Sequence, residues 1–144
     1  MAPPATLQLI GRVGPAQTPL YYSAPARIAT ISTDAEFAAL KQELDRVRAG
    51  GPWLWVVNCA GMRLEHVLNA RYVQRLADLL RTEHTGLLLG TWMLQINTWV
   101  RGILAGFGAE ATVLSDDRLE LFLQLQRAGC SHATVDFLLA VVAT

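Results

Sequence analysis

Cys59, in the run "NCAG" at residues 58–61, is the side chain of this sequence best suited to nucleophilic attack. A thiolate needs a base within hydrogen-bond reach, and His66 and His84 are the nearest imidazoles along the chain. The competing reading is a structural thiol, because cysteine is among the residue types most often enclosed in a core. Metal binding finds less support, since His66, His84 and His132 stand at no ligand spacing from one another, from Cys59 or from Cys130. "GILAGFG" (102–108) is glycine-rich but matches neither the dinucleotide fingerprint nor a phosphate loop with its lysine. No G-x-S-x-G elbow occurs, and the adjacent acids Asp116 and Asp117 suit the first turn of a helix. No catalytic residue, metal or cofactor is therefore expected.

The whole composition points the same way. Twelve basic and twelve acidic side chains cancel over 144 residues, which leaves no long-range field for nucleic acid. No run of Lys and Arg is long enough for an electrostatic membrane anchor, so membrane contact would be peripheral at most. With 52% hydrophobic and only 17% charged residues, some surface is expected to be hidden, as in a homodimer. Two distant cysteines form no disulfide framework, and "MAPPATLQLIGR" lacks the basic start of a secretory signal. The expected location is cytoplasmic, and the length suits one domain over 1–144, with residues 1–6 flexible.

Any site must be positioned by elements that the patterning outlines. "TLQLIGRV" (6–13) and "LYYSAPARIATIS" (20–32) are extended, the second at a sheet edge or broken at Pro25. "TDAEFAALKQELDRVRAGG" predicts a helix with a Thr33–Glu36 capping box and a stop at Gly50. Its inner stripe is Phe37, Leu40, Leu44 and Val47. "PWLWVVN" (52–58) is apolar on both faces, the signature of a strand buried within a parallel sheet. Alternation points Trp53, Trp55 and Val57 one way, and Leu54 and Val56 the other.

A second helix is predicted over 63–83, with Leu64, Leu68, Tyr72, Leu76 and Leu79 or Leu80 inward. Strands follow at 85–91 and 111–115, then a helix capped by Ser115 and stopped by Gly129, and one capped by Ser131. Strands that alternate with helices predict an α/β fold, a layer of mostly parallel sheet covered by helices.

The most apolar stretch is "GLLLGTWMLQINTWVRGILAGF" (86–107). A membrane span would require about 20 consecutive apolar residues. Here Gln95, Asn97, Thr98 and Arg101 interrupt the run. The reading is a strand to about Thr91 and a helix from about Leu94. On that helix Ile96, Trp99, Ile103 and Phe107 recur at helical spacing, with Trp92 at the corner. The ridge suits packing on a sheet, and equally the wall of an apolar pocket oriented by Asn97, Thr98 and Arg101.

From Pro52 to about Val142 the chain resembles the CRAL-TRIO, or Sec14-like, lipid-binding domain. "WLWVVNCAGM" is similar to the family's strand ending in Asp and Gly, with Asn58 at the Asp and Gly61 in place. "VLNARYVQRLADLLRTEHTGLLL" resembles its helix-to-strand passage, and "GTWMLQINTWVRGILAGF" its strand–helix corner, with Trp99 at the family's Trp. Gly90-Thr91-Trp92 replace its Asn-Ala-Pro, two expected strands stand where its N-terminal helical lobe would lie, and its Pro-acid-Gly-Gly closing motif is not found between 52 and 142. The STAS-like fold shares the alternation, but Asn58-Cys59-Ala60-Gly61-Met62 stands where its phosphorylated serine run belongs.

The Sec14-like resemblance implies non-catalytic binding of a lipid or other hydrophobic small molecule, with residues 52–142 as the core. Trp55, Val57, Trp92, Ile96, Trp99, Ile103 and Phe107 are the expected lining. The alternative is a protein-interaction module, homo-oligomeric, with the same fold and a filled interior.

Overall fold

The computed structural model describes residues 7–24, 34–60, 78, 79, 81–84, 86–96 and 111–143. Five strands form one mixed sheet: β1 (Gln8–Val13), β2 (Thr18–Ser23), β3 (Trp53–Asn58), β4 (Leu88–Leu94) and β5 (Ala111–Val113). Their spatial order is their order along the chain. β1 and β2 form an antiparallel hairpin, and β2, β3, β4 and β5 then run parallel. The helices α1 (Asp34–Arg48), α2 (Arg118–Ala128) and α3 (His132–Ala143) cover the two faces, and residues 78, 79 and 81–83 are also helical.

The apolar run of β3 buries both faces, as its composition predicts. Trp53 and Trp55 pack with Leu40, Leu44 and Val47 of α1, and with Leu7 and Leu79. Val56 packs on the opposite face with Leu20, Tyr22 and Leu94, beneath Leu121 and Leu125 of α2 and Val135 and Leu138 of α3. Each such aliphatic side chain taken from water contributes about 1.5–3 kcal/mol before chain entropy is subtracted. The described part of the predicted α1 stripe is therefore inward, while the Phe37 side chain and the stripe residues Leu64, Leu68, Tyr72, Leu76 and Leu80 lie outside the described residues.

Several boundaries differ from the sequence reading. β2 is an interior strand, paired on both sides, and it ends at Ser23, short of Pro25. β4 runs through Leu94, so the expected change to helix at Leu94 does not occur there. Pairing carries the strand on: Val56 stands beside Trp92, Val57 beside Met93 and Asn58 beside Leu94. α1 ends in a turn whose left-handed residue is Gly51, at φ 99°, and not Gly50.

At α2 the cap is Asp117, whose carboxylate accepts the Glu120 amide at 2.9 Å. Ser115, the expected cap, instead accepts the Asp117 amide at 3.0 Å and donates to Glu120. Gly129 closes α2 at φ 86°, a conformation that suits glycine because it has no Cβ.

The hairpin and the last helix close on each other. Thr134 Oγ1 donates to the Ile10 carbonyl at 2.9 Å, Val13 bridges Cys130, and the Gly14 amide donates to the Gly129 carbonyl. A β-carbon on Gly11 would stand 1.8 Å from Thr134 Oγ1, so glycine is what lets α3 lie this close to β1.

Candidate functional site

The carboxyl ends of parallel strands are where open α/β sheets usually place their ligands. Here β3 and β4 end side by side, tied by the Cys59 amide to the Leu94 carbonyl at 2.7 Å. Asn58 is buried, donating to the Tyr22 hydroxyl at 2.9 Å and accepting the Ala60 amide at 3.0 Å. Both acts are structural and leave Asn58 Nδ2 and Oδ1 occupied.

On the α1 face of this end, Cys59 and Met93 form a small buried cluster joined by Val57 and Ile96, and Val57 links it to the core beneath α1. Val57 and Ile96 are half-buried. Gln95 turns the chain between β4 and Ile96 in the left-handed region, at φ 55°. Such a backbone is unfavourable for a residue with a β-carbon and concentrates at functional corners.

The described surroundings of Cys59 are those of an enclosed thiol. Its thiol is fully enclosed, lies against the Val57 carbonyl at 3.7 Å, and burial pushes its pKa up to about 12. His84 cannot serve it. The imidazole packs edge-on against Trp53 at the opposite end of β3, and six strand residues separate the two by about 20 Å. His66 lies outside the described residues.

His84 is itself a buried group, 1% exposed, with neither ring nitrogen hydrogen-bonded among the described residues. Burial lowers its pKa, nearby Arg48 lowers it further, and Asp45 and Glu83 oppose both. Arg48 holds Glu83 at 3.4 Å and donates to its carbonyl at 3.0 Å, so α1 clamps the turn that enters β4.

The expected lining set is divided by the sheet. Trp55 is enclosed on the α1 face, its indole donating to Ser23 Oγ at 2.9 Å, and Val57 follows on the same face. Ile96 joins Val57. Trp92 packs on the other face, against the core beneath α2 and α3. Seated on β4, it is a strand residue paired with Val56 and cannot line one pocket with Trp55 and Val57. Trp99, Ile103 and Phe107 lie outside the described residues, as do Asn97, Thr98 and Arg101.

Two surface features were not singled out from the sequence. An open groove of about 440 Å³ separates α2 from α3, lined by Phe122, Gln126, Arg127, Cys130, His132 and Val135. On α2, Leu119 is 70% exposed and Leu123 40% exposed, one turn apart, while Leu121 and Leu125 are buried. Leucines at both i, i+4 pairs were the available signal, because one helix cannot turn both toward the same core.

Among the described residues no group of three or more His, Cys, Asp or Glu is placed to hold a metal ion. None of the described helices is long and apolar enough to cross a membrane. No protein-family model matches the chain, and comparison with characterised proteins gives no significant match.

Proposed function

We propose that this chain binds an apolar small molecule, of the lipid or similarly hydrophobic class, non-covalently at the carboxyl ends of β3 and β4. The observation that carries the reading is the apolar group of Val57, Cys59, Met93 and Ile96, with Val57 and Ile96 half-buried, at the end of the sheet where ligands usually sit. Ligand seats are mostly apolar with few polar groups, which this cluster matches. The left-handed Gln95 beside Ile96 sets the corner at this end, and the enclosed Cys59 thiol presents an apolar surface. The Sec14-like resemblance of residues 52–142 supports the same class of ligand. Within this proposal Val57 and Ile96 contact the ligand and Trp55 lies one pleat deeper, while Trp92 serves the opposite core.

The test is solvent extraction of the purified protein with mass spectrometry, paired with titration of a dansyl-labelled fatty acid. A bound apolar molecule, and saturable dansyl binding weakened about tenfold or more by Ile96→Asp, are expected. Absence of both, in a protein folded by circular dichroism, overturns the reading.

A further inference from the structure

We infer that α2 is the interface of a symmetric homodimer in which it packs antiparallel to the α2 of a second copy. At about 100° per residue, Leu119, Glu120, Leu123, Gln126 and Arg127 share one side of the helix, and all five are exposed. Leu123 lies at the middle of that side, an acid precedes it by three residues, and a base follows it by four.

This is the pattern a two-fold axis requires, because residue i must meet j while j meets i. An antiparallel copy centred on Leu123 sets Leu123 against its own equivalent. It also places Glu120 opposite the partner's Arg127, and Arg127 opposite the partner's Glu120, both on one flank. On the other flank each Leu119 faces the partner's Gln126, at the rim of the groove between α2 and α3. A parallel copy, with its two-fold axis along the helices, would instead lay the Glu120 and Arg127 flank against the partner's Leu119 and Gln126 flank and leave both charges without a partner. Among the described residues Arg127 makes no ion pair within its own chain.

The chain also carries no net charge to keep two copies apart. An eleven-residue helix is about 16 Å long, so the contact is smaller than the roughly 1,600 Å² of a standard complex. The dimer is accordingly weak and dissociates on dilution.

Sedimentation velocity of the full chain from micromolar to millimolar concentration tests this. The mass is expected to rise from the 15.8 kDa monomer toward twice that value. Leu123→Asp should raise the dissociation constant about tenfold or more. Arg127→Glu should weaken pairing, and adding Glu120→Arg should restore it, because the swapped charges meet again across the axis.

Leu123→Cys, with Cys130→Ser, should cross-link to a covalent dimer on mild oxidation, whereas exposed Ala140→Cys on α3 in the same background should not. Circular dichroism and urea titration show that each variant is folded. A monomer at every concentration, a dimer indifferent to Leu123→Asp, or failure of both the charge swap and the cross-link overturns the inference. A monomer that instead floats with phosphatidylcholine vesicles through Leu123 also overturns it, and gives the surface to a membrane.

Discussion

The Tyr22 hydroxyl accepts the Asn58 side-chain amide at 2.9 Å, joining β2 to the carboxyl end of β3 inside the core. Both residues are buried, so Tyr22→Phe leaves Asn58 Nδ2 without that acceptor and without water. A loss of about 1–3 kcal/mol in urea unfolding is expected. A change below a few tenths would show that the bond contributes nothing net.

The contact between Gly11 and Thr134 is open to a double-mutant cycle. Gly11→Ala forces its β-carbon into the Thr134 hydroxyl, which is held by Ile10 and Ser131 and has no free space. Overpacking of this kind costs about 1–3 kcal/mol. In a Thr134→Ala background the same substitution should cost clearly less. Equal penalties in the two backgrounds would place the cause elsewhere.

His84 makes stability depend on pH. Burial and Arg48 lower its pKa in the folded chain, so on acidification the unfolded chain takes up the proton first. The associated stability is present above the ordinary histidine value of about 6.5 and is lost as pH falls below it, toward the lowered folded value. Asp45 and Glu83 reduce the size of the effect without changing its sign, because the net shift is downward. Urea midpoints should fall between about pH 7 and pH 5, and His84→Phe should flatten that dependence. An unchanged slope in His84→Phe would assign it to other groups.

The two thiols should differ in alkylation by iodoacetamide near neutral pH. Cys59 is fully enclosed and its pKa is pushed up to about 12; Cys130 is half-buried and pushed to about 11. Cys130 should label slowly and Cys59 not at all until urea is added, read by peptide mass spectrometry. Prompt labelling of native Cys59 would contradict its place in the core.

Removal of the α2 cap gives a further check. Asp117→Ala frees the Glu120 amide and should cost about 1 kcal/mol. Ser115→Ala should cost less, because Ser115 supports the cap without being it. The reverse order in thermal unfolding would restore Ser115 as the cap.

The parts of the fold legible in the sequence were those whose periodicity admits one reading. "WLWVVN" is too short for a helix and apolar at every turn of the pleat, so its burial on both faces and its parallel neighbours followed directly. The α1 stripe and the Gly129 stop were equally plain. The end of β4 is ambiguous in the sequence, because a short apolar run satisfies periods of 2 and 3.6 alike. Strand pairing, which composition does not encode, decided the matter by carrying β4 to Leu94 beside Asn58.

The same ambiguity divided the candidate site. Once Trp92 belongs to a strand, the pleat sends it away from Val57, and only register shows this. Asp117 and Ser115 are both good caps by type, so the choice between them depended on where the first helical turn begins.

One consequence of the sheet's order concerns synthesis. Each strand finds its partner already made as the chain leaves the ribosome, so the sheet can be extended in sequence without threading. The seam between Thr134 and Ile10 joins residues 124 positions apart and cannot form until α3 has emerged. Until then the face of β2 and β3 that carries Leu20 and Val56 has no covering from α2 or α3. A nascent chain halted at β5 should therefore be a client for chaperones, and release of α3 is the step that ends its exposure.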